Sequence, residues 1–376
     1  MLSQPPLWFI LIAFVCAIGP LVFIHELGHY LVARWFGVGA ETFSIGFGRE
    51  ITGWTDRRGT RWKVGWLPLG GYVRFVGDEN AASKTPEAET LAADERERSF
   101  HLKPVWQRFL IVLAGPTANF LLAIAIFAAF FAILGLPRTP AVVSEVQKGS
   151  VAEQVGLRPG DRIDSIAGIE TSSFETLRRE VVLRPGETVT IRFERNGRAE
   201  RVRARIGVHE QKDRYGQVYR IGLLGVGASD RVLDRIPVTG AIPAAAQYTY
   251  EMTRSTVVAL GQIVTGRRSA KELGGPLKMA QIAGQQANLG AFEFVSLLAL
   301  FSINLGFINL LPVPMLDGGH LLFYTVEAVR RRPVSPRSQD WAFRGGLALL
   351  LALLVFTTFN DLGSFGLWDR LGRLIG

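Results

Sequence analysis

Cysteine and histidine are scarce here, one and five among 376 residues. The lone Cys16 excludes an intrachain disulfide and any cysteine-built zinc site. Its place in an apolar run reads as a small buried hydrophobe. Charge is missing in blocks. No Lys, Arg, Asp or Glu lies between Met1 and Ile24, Arg108 and Arg138, Glu293 and Asp317, or Arg344 and Asp361. Each gap is about as long as a membrane-crossing helix requires, the last being the shortest. The start lacks a positively charged stretch, so the first segment reads as a retained membrane helix rather than a cleaved signal. No basic run is interleaved with aromatics, which excludes a nucleic-acid surface. The net charge of +9 is then loop charge and headgroup contact.

What is present begins at the end of the first gap. Ile24-His25-Glu26-Leu27-Gly28-His29 brings three ionisable groups into an otherwise apolar segment. On a helix, His25 and His29 are one turn apart and share a face. Two imidazoles so placed grip one metal ion, and Glu26 beside them supplies a base for water. Ionisable groups at membrane depth are costly and mark a functional site by default. The pair lacks a third protein ligand nearby. Asp317 supplies one: it follows Pro312 and Pro314, which interrupt the third apolar segment. Irregular backbone at that depth is tolerated only inside protein or beside water. His320 is the rival ligand, read instead as a loop residue or a group steadying a ligand. The set implies one Zn²⁺ ion; two His and a carboxylate also suit non-haem Fe(II), which metal analysis separates.

Orientation follows from the loop after the third segment, which carries Arg330, Arg331, Arg332, Arg337 and Arg344. That excess puts the loop in the cytoplasm and the metal pair towards the cytoplasmic side. The expected organisation is a first span with the His-Glu pair (1–36), a cytoplasmic-side β region and loop (37–105), and a second span (106–137). A periplasmic domain (138–228) and amphipathic surface helices (229–290) follow. The third span (291–326), a cytoplasmic loop (327–342), the fourth span (343–360) and a tail (361–376) complete it. In 138–228, alternating strands meet at the hairpin turn Asn196-Gly197. There, Gly156-Leu157-Arg158-Pro159-Gly160-Asp161 resembles the signature of PDZ domains, which take a peptide end as an added strand or act as a steric filter. Residues 78–101 read as a solvated acidic loop.

His25-Glu26-Leu27-Gly28-His29 together with Asn309-Leu310-Leu311-Pro312-Val313-Pro314-Met315-Leu316-Asp317-Gly318 resembles the paired motifs of the site-2 intramembrane metalloproteases. Gly115-Pro116-Thr117-Ala118-Asn119, Gly275-Pro276 and Phe359-Asn360-Asp361 extend the likeness over nearly the whole chain. The chain is similar to the bacterial regulator-of-sigma-E protease subgroup, with one PDZ unit where that subgroup's best-known member has two.

The resemblance implies a polytopic helical fold of four transmembrane helices in the bacterial inner membrane, with an inserted PDZ domain and a membrane-associated β-hairpin or sheet. It implies a zinc endopeptidase whose partners are the lipid bilayer and single-pass membrane proteins, such as anti-sigma factors or signal-peptide remnants, already shortened outside. A peptide C-terminus at the PDZ groove is a further expected partner. Asn309, Pro312 and Pro314 would contact substrate, and Gly46-Phe47-Gly48 would hold its unwound segment by strand addition. A scaffold displaying a PDZ domain predicts no bound metal. A coupled transporter would want more spans and an internal repeat, and none is visible.

Overall fold

The structure is a computed structural model describing residues 5–77, 93–171, 173–212, 218–230, 232–265, 270 and 273–364. Most of the acidic loop expected over 78–101, and the end of the expected tail, lie outside the described residues. The elements run α1 (Leu7–Trp35), β1 (Ala40–Thr55), β2 (Arg61–Phe75), α2 (Ala93–Arg98), α3 (Val105–Leu134), β3 (Leu136–Arg138), β4 (Val143–Val146) and α4 (Val151–Gln154). They continue through β5 (Arg162–Ile166), β6 (Ile169–Glu170), α5 (Phe174–Val182), β7 (Thr188–Arg195), β8 (Arg198–Arg205), β9 (Gly207–Lys212) and β10 (Val218–Leu223). The chain then forms β11 (Val226–Ala228), β12 (Val232–Asp234), α6 (Val238–Val264), α7 (Pro276–Leu289), α8 (Ala291–Asn309), α9 (Asp317–Arg330) and α10 (Pro336–Ser364). It divides into two compact units, Met1–Phe127 with Ala245–Gly376, and Ala128–Ala244.

In the first unit, α1, α3, α8 and α10 are long and apolar enough to cross a membrane. Their outward faces carry exposed apolar side chains such as Leu11, Leu31, Leu347 and Val355. The inward face of α1 is a row at spacing four: Ala13, Ala17, Leu21, His25, His29 and Ala33 are all buried. Its early part packs with Ala283, Leu297 and Phe301 of α7 and α8. Its late part, Tyr30 and Ala33, packs with Phe43 and Phe75 of the β region, Ile111 of α3 and Tyr324 of α9. The metal motif therefore lies between two apolar clusters that fix the helix on either side. β1 and β2 fold so that Thr42–Ile45 pairs with Gly71–Arg74 on one side and with Arg61–Val64 on the other. The turn is tied to α1: Asp56 accepts from the Trp62 indole at 3.0 Å and the Tyr30 hydroxyl at 3.5 Å.

Four expectations change. Cys16 is exposed on the outer face of α1 rather than buried, since it is one residue out of register with the row of fours. The third span ends as a helix at Asn309, and Asp317 opens a separate helix. Surface helices were expected over 229–290, but α7 buries Ala283 and Gly284, and a Cβ on Gly284 would meet Ile10 of α1 at 2.6 Å. Moreover, α10 starts at Pro336, before the expected 343. Asp361, buried near its end, accepts from the Gly275 and Lys278 backbone N–H groups at 3.0 and 2.9 Å. That carboxylate serves the N-terminus of α7, where Pro276 removes one unpaired donor.

The second unit is β-rich. A four-stranded sheet runs in the order β6-β5-β7-β8, and β4 pairs with β11. Asn196 and Gly197 both have positive φ, as the two-residue turn between β7 and β8 requires. Ile163, Ile166, Leu177, Ile191, Phe193 and Ile206 form the centre of its core. Asp161 is buried, accepts from both Arg195 nitrogens at 2.8 and 2.7 Å, and accepts from the Arg158 N–H at 2.8 Å. The Gly-Leu-x-Pro-Gly-Asp signature is thus a turn clamped by its own aspartate to the end of β7. Burial pushes the Asp161 carboxyl up, but Arg195 and the Arg158 N–H outweigh it and hold it below the usual carboxylate range.

Candidate active site

The two histidines of α1 present their Nε2 atoms 3.3 Å apart. His29 Nδ1 lies 2.9 Å from the Ile111 carbonyl, which only accepts, so that nitrogen carries the proton and Nε2 offers a lone pair. Asp317 Oδ2 stands 3.1 Å from His25 Nε2 and 3.5 Å from His29 Nε2. That oxygen atom is buried and, among the described residues, has no hydrogen-bond donor other than those rings to satisfy it. One donor atom from each of the three residues lies within 4.8 Å of the others. Inward-facing lone pairs and a carboxylate oxygen around one point fit a cation of zinc type.

Close approach of α1 and α3 makes this geometry. A Cβ on Gly28 would sit 2.5 Å from the Ala114 carbonyl, and one on Gly115 would overlap the His29 ring. Only glycine lets the backbones meet at both points. Asp317 arrives from the other side. The chain leaves α8 at Asn309, turns through Pro312 and Pro314, and passes Met315 at φ 86° before α9 begins. A non-glycine residue in the left-handed region is strained backbone, here beside the donor set. In the first turn of α9, Asp317 also sits where a helix favours a negative charge.

Glu26 is buried and the Val73 main chain hydrogen-bonds to it. A Cβ on Gly71 would come within 2.9 Å of its Cγ, so the end of β2 runs directly past the carboxylate. A cavity of about 540 Å³ opens here, lined by His25, Glu26, His29, Asp317, Asn309 and the Gly70–Val73 stretch. Asn309 Nδ2 is 3.4 Å from His25 Nε2. Phe47 lines the cavity, whereas Gly46, Gly48, Pro312 and Pro314 do not. The glycines shape the backbone instead: both have positive φ, and a Cβ on Gly46 would meet the Gly65 and Leu67 carbonyls at 2.9 Å. His320 lines the cavity from α9 outside the three-residue donor set. In the sequence Gly115 and Asn119 stand only as part of the family likeness, with no role at the site, and Gly71 has none either; the value of all three depends on which helix or strand crosses α1.

A profile of peptidase family M50 matches residues 13–353. The chain belongs to peptidase family M50. A Rhizobium meliloti relative whose name contains the words zinc metalloprotease is 46% identical over 349 residues, covering 91% of this chain and 93% of the relative. Metalloprotease MmpA of Caulobacter vibrioides is 37% identical over 390 residues, covering 97% and 98%. This M50 chain is a multi-pass membrane zinc metalloprotease of the site-2 type. The PDZ domain of an SdrC-like protein from Listeria monocytogenes is similar to a quarter of the chain (20% identity, TM-score 0.20, 25% of this chain, 93% of that one).

Proposed function

We propose that this M50 protease binds one zinc ion through His25, His29 and Asp317 and hydrolyses peptide bonds within or near transmembrane segments of single-pass proteins. The observation carrying the reading is a donor set of two buried histidines and a half-buried aspartate with the Glu26 carboxylate beside it, opening on a cavity walled by a strand. Zinc, when bound, supplies Lewis-acid polarisation to the scissile carbonyl and to water. Glu26 accepts the proton of the attacking water and hands it to the leaving amine. The Asn309 amide is placed to donate to the substrate carbonyl as charge develops.

A helical substrate must first unwind, because its carbonyls are held in i, i+4 bonds. Among the described residues, Gly71–Arg74 pairs as a strand with Thr42–Ile45 on one side only, and Gly70–Val73 lines the cavity. This edge receives the unwound segment by strand addition. Gly46-Phe47-Gly48 contributes the Phe47 side chain and the bend behind it. The arginines of the 330–344 loop support an inner-membrane topology with the site towards the cytoplasm. In the PDZ-like unit, α5 and residues 221–227 flank a groove of about 740 Å³. The groove suits a peptide C-terminus left by an earlier external cut, as in anti-sigma factors or signal-peptide remnants.

Glu26→Gln should lower cleavage of a reporter transmembrane substrate by about 10³-fold while bound zinc stays unchanged. Full activity in that variant removes Glu26 as the base. Asp317→Asn should lower zinc per chain; unchanged stoichiometry by metal analysis would shift the third donor to another residue.

A further inference from the structure

α3 holds both ring systems of the metal motif, one by its backbone and one by a side chain. Ile111, Gly115 and Asn119 are spaced by four and face α1 together. The Ile111 carbonyl accepts from His29 Nδ1, and Gly115 leaves the space the His29 ring fills. Asn119 is fully buried, with its carboxamide nitrogen 3.1 Å from His25 Nδ1. Its own position is fixed twice over. Its carbonyl accepts from Ser302 Oγ of α8 at 2.8 Å, and Gly306 of α8 leaves room at its Cβ.

The carboxamide oxygen of Asn119 is buried and has no hydrogen-bond partner among the described residues. This orphan and the nitrogen at His25 are two ends of one group. For His25 Nε2 to offer a lone pair towards Asp317 and His29, Nδ1 must carry the proton and become a donor. A donor facing the Asn119 nitrogen is unpaired. A half-turn of the carboxamide puts the oxygen on Nδ1 and removes both the clash of donors and the orphaned acceptor.

We propose that Asn119 is a positioning residue that sets the His25 tautomer, its carboxamide oxygen accepting from Nδ1–H when the site is loaded. The inference rests on the zinc site proposed above. His29 has the same arrangement through a backbone carbonyl that no substitution removes, so Asn119 is a side chain through which the hold on His25 can be weakened selectively.

The test is zinc affinity of the purified full chain, measured by chelator competition, for wild type, Asn119→Ala, Asn119→Leu, Asn119→Asp and His25→Ala. Thermal unfolding of each metal-stripped protein identifies variants that have lost the fold. Asn119→Ala and Asn119→Leu should bind zinc about 10- to 100-fold more weakly than wild type. Asn119→Asp, which only accepts at that position, should restore wild-type affinity. Wild-type affinity in both folded apolar variants overturns the proposal, provided that His25→Ala loses zinc. Equal loss in folded Asn119→Asp and Asn119→Ala also overturns it, because packing alone would then explain the effect. Absence of zinc in the wild type overturns the site itself, and this proposal with it.

Discussion

Two clusters of ionisable groups in this protein, one in each unit, stand on opposite terms. In the PDZ-like unit, Asp161 and Arg195 satisfy each other through two hydrogen bonds, and the backbone takes up what remains. In the helical unit, His25, His29 and Asp317 converge, and among the described residues Asp317 Oδ2 has no hydrogen-bond donor beyond the two rings, while the Asn309 amide lies 3.4 Å from His25 Nε2. The first cluster is complete as a piece of architecture. The second, on the proposed reading, is completed by a cation. A buried polar group that is fully paired reports on folding; one held unpaired by packing reports on chemistry.

That contrast can be broken one side at a time. The largest expected effect is Gly115→Ala, whose methyl group would displace the His29 ring. Zinc affinity should fall by about 100-fold or more, while the PDZ-like unit keeps its unfolding temperature. Wild-type zinc affinity there would mean that α3 can retreat from α1. Next is Arg195→Met, which leaves Asp161 buried and unpaired at a cost of about 3 kcal/mol. Calorimetry should show the PDZ-like unit unfolding earlier with zinc content unaltered, and a joint loss of both would dissolve the distinction.

Acid offers a gentler version of the same test. Asp161 has a depressed folded-state pKa, so its stabilisation is present above the unfolded carboxylate value of about 4 and is lost as pH falls through the folded value. Wild type should therefore lose unfolding temperature below about pH 4 more steeply than Arg195→Met, as a pH series of melting curves would reveal. Smallest is Asp361→Ala, which removes the acceptor for two backbone donors of α7 and should cost about 1–2 kcal/mol in the helical unit alone.

The legibility of these two clusters in the sequence differs for a physical reason. His25, Glu26 and His29 are local, so helical spacing alone puts them together. Asp317 could be found because Pro312 and Pro314 break an uncharged run at membrane depth, which has few explanations other than a site. The Asn196-Gly197 turn was equally local, and both residues have the positive φ it requires. Gly115 and Asn119 carry a family likeness but no such physical mark. A glycine and an asparagine in an apolar helix gain meaning only from the helix that crosses them, and crossing is a property of the packed molecule. The same holds for Gly71, which matters because β2 passes Glu26. Gly46 and Gly48 show the converse: their spacing is conspicuous, but the backbone uses them for curvature while Phe47 reaches the cavity. Asp361 and Gly275 were noticed as separate marks; that one holds the other is visible only in the fold.

The late arrival of Asp317 has a consequence for biosynthesis. The histidines and the base leave the ribosome within the first thirty residues, but the third donor follows about 290 residues later. At about 5–20 residues per second, that interval is roughly 15–60 seconds. With Asp317 as the closing donor, the growing chain passes through the insertion machinery with an incomplete centre, among the emerging helices of its neighbours and of itself. On the proposed reading, the sequence separation between the histidines and Asp317 then serves as a built-in delay: the centre is completed only after three of the four candidate spans have been made.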